Sequence, residues 1–266
     1  MFGDLPIRNH LTLVYALSLV IAILFVAASL GGLLFSAVFY PTDELIESFL
    51  ANDLINMLVG LPILTGSMWL SRRGSLAGLL LWPGALLYVL YNYIVYAFGT
   101  PLSSFTPMYL GLVILCSYGI IYILRIIDCD SVMDRISRKV PVRAPGLVLA
   151  VFGGLFLIRA IGVMMSKTTI SISEMGLLIA DSALSFPMIG GGILLIRRKP
   201  LGYTGGLGLL FAASVLFIGL IMALVLQPVF TDDPFVLIDV VVVFVMGLIF
   251  FVPFGLFLRG VKAQQL

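Results

Sequence analysis

Histidine and cysteine are nearly missing from this chain: His10, Cys116 and Cys129 are all it has in 266 residues. A zinc site normally takes three or four N, S or carboxylate ligands, and a haem held by two imidazoles takes two histidines. One chain assembles neither, so no metal and no cofactor are expected. Cys116 falls in an apolar run and Cys129 in the basic stretch beyond it. A helix joining them would hold them roughly 20 Å apart, out of disulfide reach, so both are expected to be free thiols. Charge is scarce too, at 11% against 61% hydrophobic residues, where a soluble domain has about 25% and about 45–50%. Water does not solvate such a chain as a folded monomer. The chain also lacks a Walker A loop, a GxSxG elbow and an HExxH pair, and offers no domain for binding nucleic acid.

What is present is apolar length. A helix crosses the hydrocarbon core with about 20 apolar residues. Eight such runs are visible, roughly 11–37, 53–71, 76–98, 106–127, 146–166, 174–196, 202–226 and 235–258. The first is too long for the apolar core of a signal peptide, so it is expected to be a retained span. All eight should be helices, because lipid cannot satisfy a free backbone amide. The expectation is an all-α integral membrane protein: residues 1–127 a first half of four spans, 128–145 a basic loop, and 146–266 a second half.

Loop charge orients the bundle. Arg8, Arg72, Arg73, Arg125, Arg135, Arg138, Lys139, Arg143, Arg197, Arg198, Lys199, Arg259 and Lys262 fall on one side; Lys167 alone falls on the other, and Arg159 within a span. The opposite loops carry Asp43, Glu44, Glu47, Glu174, Asp232 and Asp233. Both termini are therefore expected in the cytoplasm. Spans 2 and 6 superpose at Pro62 and Pro187, which sets Asn56 on Asp181, Gly66 on Gly191 and Arg72-Arg73 on Arg197-Arg198. That offset of about 125 residues suggests two parallel four-helix repeats. Close helix contacts are expected at the small residues Ala28, Gly32 and Ser36, at Gly202, Gly206, Gly208 and Ala212, and at Gly190-Gly191-Gly192.

Ionisable residues at membrane depth are functional suspects. Arg159 lies seven residues before the outer end of span 5 and Asp181 seven after the outer start of span 6. Both are about 10 Å deep, and an ion pair is expected. The same leaflet holds Asp53 and Asn56 on one face of span 2, Asp239 just inside span 8, and the span 3 stripe Tyr88, Asn92 and Tyr96, flanked by Tyr91 and Tyr93. Tyr93 and Tyr96 also suit an interfacial aromatic belt; Asn92 should face the interior. Arg159, Asp181, Asn92, Tyr88, Asn56, Asp53 and Asp239 form the candidate ligand-binding set, as an outward-facing pocket. Two short helices are expected in loops: Thr42 to Leu50 at the interface with Leu45 and Phe49 toward lipid, and Ser131 to Val140 as a basic amphipathic helix on anionic headgroups. Asp128, Asp130 and Asp134 do not make a calcium loop, since Met133 stands where the glycine is needed.

The stretch Asn52 to Tyr96, with Asp53, Pro62, Arg72-Arg73-Gly74 and the run Tyr88-Val89-Leu90-Tyr91-Asn92-Tyr93, resembles uncharacterised prokaryotic multi-pass membrane proteins, mainly over residues 52–127. The resemblance implies a prokaryotic plasma membrane and brings no catalytic residue. Three functions follow as expectations: a carrier or binder of a small polar or amphiphilic solute, a non-catalytic subunit or assembly factor of a membrane complex, and a membrane-embedded enzyme acting on lipid or isoprenoid. No nucleophile–base constellation supports the last. The partners expected are the lipid bilayer and a small-molecule ligand.

Overall fold

A computed structural model describes residues 5–8, 10–166, 169–231 and 234–263. The helices are α1 (Thr12–Leu34), α2 (Ser36–Phe39), α3 (Asp43–Ile55), α4 (Leu61–Arg72), α5 (Leu76–Gly99), α6 (Thr106–Ile126), α7 (Cys129–Ile136), α8 (Arg143–Ser166), α9 (Ile172–Ile196), α10 (Pro200–Phe230) and α11 (Leu237–Lys262). Eight helical segments are long and apolar enough to cross a membrane, α3 and α4 together forming one of them. The described residues contain no strand, only an isolated bridge between Ile7 and Ile127. This is an all-α polytopic membrane protein. Lys167, Thr168, Asp232 and Asp233, which entered the charge and boundary reading, lie outside the described residues.

Span 2 begins ten residues earlier than its hydrophobicity suggests. Asp43–Arg72 is helical throughout, so the segment expected to lie flat at the interface is instead its first two turns. Thr42 accepts a hydrogen bond from the Leu45 amide at 3.4 Å, and Asp43 and Glu44 occupy the first turn, where the helix dipole favours acids. Leu45 and Phe49 are buried rather than lipid-facing. Between α3 and α4 lies a π turn, Asn56–Gly60, in which the Leu61 amide bonds back to Asn56. Pro62 explains it: proline has no N–H for the carbonyl four residues back, and its ring crowds that turn, so the helix widens by one residue just before it. The widening begins three residues after Asp53.

The helix α5 is the centre of the molecule. Of its span window 83% is buried, against 17% for α8 and for α11 at the periphery. It packs against α4, α6, α9 and α10, while α10 in turn packs against α3, α9 and α11. The backbones of α5 and α10 meet at Gly84 and Gly208. A Cβ on Gly84 would collide with the Gly208 carbonyl, and one on Gly208 would lie 3.1 Å from the Gly84 nitrogen and the Leu80 oxygen. Close approach through small residues is how helices gain dispersion contact when lipid removes the hydrophobic drive.

Both termini meet the middle loop on one face, called here the terminal face; the other is the distal face. Arg8 pairs with Asp128 at 3.1 Å, the Arg8 amide bonds Ile126 O at 2.7 Å, and Lys139 Nζ donates to Ala263 O at 2.7 Å. Hydrogen bonding from the Ser131 hydroxyl and from Arg8 holds the Asp128 carboxyl below the usual carboxylate range. The amphipathic α7 starts at Cys129, ahead of the expected Ser131, with Asp128 as its N-cap. Its apolar residues Val132 and Ile136 are fully buried. The helix packs against α10, so its apolar face is covered by the bundle rather than by headgroups. Cys116 and Cys129 are free.

Gly84→Ala is expected to destabilise the folded protein by about 1–3 kcal/mol through overpacking, read as a lower thermal midpoint in detergent. Gly111→Ala, where an added Cβ meets nothing within 4 Å, should leave the midpoint unchanged or raise it.

Candidate functional site

Two polar clusters lie in the distal half of the bundle, and α5 supplies hydroxyls to both. Tyr91 and Tyr96 are five residues apart, about 140° around a helix of 3.6 residues per turn, so they serve different neighbours. Tyr96 reaches α3 and Tyr91 reaches α9.

The first cluster centres on Asp53, which is 0% exposed. Tyr40, from the connection between α2 and α3, donates to its Oδ2 at 2.5 Å. Tyr96 donates to Oδ1 at 2.8 Å. The Tyr96 oxygen also accepts from Asn52 Nδ2 at 3.2 Å, and it lies 3.4 Å from the Phe49 carbonyl. Rings close the site: Phe49 and Tyr96 have centroids 4.8 Å apart, Tyr93 and Tyr96 5.3 Å, Tyr96 and Tyr109 5.5 Å. On α1, Gly32 leaves room for the carboxylate. A Cβ there would collide with Asp53 Oδ2 and lie 2.6 Å from the Tyr40 hydroxyl. The ion pairs among the described residues are Arg8–Asp128 and Arg159–Asp181, so Asp53 has no cationic partner there.

The second cluster contains the expected ion pair. Arg159 Nη1 lies 2.7 Å from Asp181 Oδ2, and the Tyr91 hydroxyl donates to Oδ1 at 2.9 Å. The carboxylate is the buried partner: its side chain is 10% exposed, while that of Arg159 is 57% exposed. Arg159 stands on the peripheral α8, with Nη1 on Asp181 and more than half of its side chain exposed.

Between the clusters, the Tyr88 hydroxyl donates to Asn56 Oδ1 at 3.2 Å, and Asn92 Nδ2 donates to the Tyr88 carbonyl at 2.9 Å. Asn56 Nδ2 is buried without a partner among the described residues. Asn56 opens the π turn, where the ladder is already disturbed.

Six of the seven candidate residues therefore lie on the three helical segments around these clusters or on α8 beside them, as two clusters and a bridge rather than one pocket. Asp239 stands apart, exposed on the first turn of α11, a position the helix dipole alone accounts for. Sequence reasoning missed Tyr40, Asn52 and the role of Tyr91. Tyr40 closes an apolar run, where an interfacial tyrosine is unremarkable, and Tyr93 and Tyr96, which suited that belt, are buried in the core. One signal was available: a tyrosine-rich central helix beside unpaired acids. Comparison with protein-family models, curated proteins and solved structures returns no match, so the reading of the site stands on its geometry.

Gly32→Ala should push Asp53 and Tyr40 apart and destabilise by about 1–3 kcal/mol, seen as a lower thermal midpoint. Gly66→Ala, with open space around the new Cβ, is the control that should not fall. An unchanged Gly32→Ala midpoint would contradict the packing of α1 on the carboxylate.

Proposed function

We propose that this protein binds or carries a small polar or amphiphilic anion that approaches from the distal face, and that Arg159 is the group that meets it. The observation that carries the reading is the division of labour in the ion pair. Asp181 is buried and held from behind by Tyr91, and it engages one guanidinium nitrogen. Arginine has five N–H donors in a rigid fork, and the exposed edge of Arg159 keeps several of them for a ligand. A guanidinium about 10 Å inside the end of its helix is costly against acyl chains. An anionic group, a carboxylate or phosphate on a solute or an amphiphile, fits that position.

The orientation belongs to the same proposal. The terminal face carries the arginine-rich loops, which supports a cytoplasmic terminal face and an outward distal face. The resemblance to prokaryotic membrane proteins supports a plasma membrane. Two parallel four-helix halves are supported by neighbour order: α1 packs on α3 and α6 in the first half as α8 packs on α9 and α11 in the second, and α5 and α10 meet at glycines whose separation nearly equals that of Pro62 and Pro187. Such halves are suited to rocking about a site between them.

The test is a thermal-shift panel of small carboxylates, phosphates and phosphate-bearing amphiphiles on purified protein. A stabilising anion is expected for the wild type and not for Arg159→Gln. The exchanged pair Arg159→Asp with Asp181→Arg should regain folding stability relative to either single change, yet lose the response to the anion. If no anion acts, or if Arg159→Gln responds like the wild type, the pair is a structural lock and the reading fails.

A further inference from the structure

Asp53 raises a different question from Arg159: how a carboxyl with no exposure and no cation is tolerated in the bundle. An isolated anion in a low-dielectric interior costs far more than a neutral acid. The groups around it are phenols, one serine hydroxyl and one amide. From α5 and α6 come Tyr93, Tyr96 and Tyr109, from the α2–α3 connection Tyr40, and from α1 Ser29, whose hydroxyl is 3.3 Å from that of Tyr93. The helix α10, which packs on α3, carries no Asp, Glu, Lys, Arg or His. On α3 itself the other acids, Asp43, Glu44 and Glu47, are exposed. Nothing among these supplies a positive charge.

The hydrogen bonds show how the carboxyl is accommodated in two states. As a carboxylate it accepts from Tyr40 at Oδ2 and from Tyr96 at Oδ1. As a carboxylic acid it must donate from one oxygen, and Tyr96 is the phenol with a backbone carbonyl within reach to take its own proton. The Tyr96 hydroxyl lies 3.4 Å from Phe49 O, so it can rotate its proton to that carbonyl and accept from Oδ1–H instead. Its oxygen then takes two hydrogen bonds, from Oδ1–H and from Asn52, and gives one. Tyr40 keeps donating to Oδ2 in both states. No heavy atom has to move between them.

We propose that Asp53 is a proton-binding site, with Oδ1 as the atom that takes the proton and Tyr96 as the hydroxyl that turns to receive it. The proton comes from water and returns to it; the carboxylate becomes the acid, and no other covalent bond changes. Tyr40 is the residue between the site and the distal surface, since it is buried while Pro41 and Thr42 after it are exposed. The inference goes beyond the anion reading and stands without it, because it concerns a different carboxyl on a different helix.

Infrared difference spectroscopy of the protein in liposomes, between mildly acidic and alkaline pH, tests it. The expected result is a carboxylic C=O band that titrates, is lost in Asp53→Asn and persists in Asp181→Asn. Tyr40→Phe should raise the frequency of that band, because the C=Oδ2 of the acid loses its donor; Tyr96→Phe should shift its titration, because the acid loses its acceptor. These two variants decide the matter if Asp53→Asn does not fold. A band untouched by Asp53→Asn or by both tyrosine changes, a band lost in Asp181→Asn, or a response to sodium in place of pH would overturn the proposal. Anion binding by Arg159→Gln plays no part in the readout, so failure of one reading is separable from failure of the other.

Discussion

A carboxyl group inside a membrane bundle has to be satisfied by the protein, since acyl chains offer it nothing. Two aspartates impose that constraint here, and the central helix answers both. Tyr96 serves Asp53 and Tyr91 serves Asp181. Neither contact is possible unless α5 runs through the middle of the molecule with α3 on one flank and α9 on another. The polar contacts and the helix order are therefore one feature seen at two scales.

Small residues make that order attainable. The backbones of α5 and α10 touch at Gly84 and Gly208, and α10 also packs against α3. Gly32 opens just enough space in α1 for the carboxylate. The π turn ahead of Pro62 adds the third element. It begins three residues after Asp53, at Asn56; both residues are buried, and Asn56 leaves one amide nitrogen unmatched among the described residues.

The eight spans were legible because hydrophobic length is a local property. The Arg159–Asp181 pair was legible because consecutive antiparallel helices bring residues at equal distances from a shared turn to equal depth. The contacts of Asp53 were not. Tyr40 precedes the helix that carries Asp53 by a turn of loop, and Tyr96 belongs to another helix; nothing in their spacing reveals a shared carboxylate. The true start of span 2 was hidden for a related reason. Asp43, Glu44 and Glu47 make the segment look polar, yet Leu45 and Phe49 on its other face are what the bundle buries. Asp239, expected just inside span 8, is on the exposed first turn of α11.

The central claim is that the distal half of the bundle is organised around a buried, uncharged-neighbour carboxyl clasped by two tyrosines. A density map of the protein in lipid nanodiscs, fine enough to place side chains, tests it most directly. The account predicts Asp53 between Tyr40 and Tyr96 in hydrogen-bonding contact, with Arg159 on Asp181 and its free edge toward the distal headgroups or a bound anion. Asp53 turned to the acyl chains, or Tyr40 and Tyr96 on separate sides of the bundle, would contradict it.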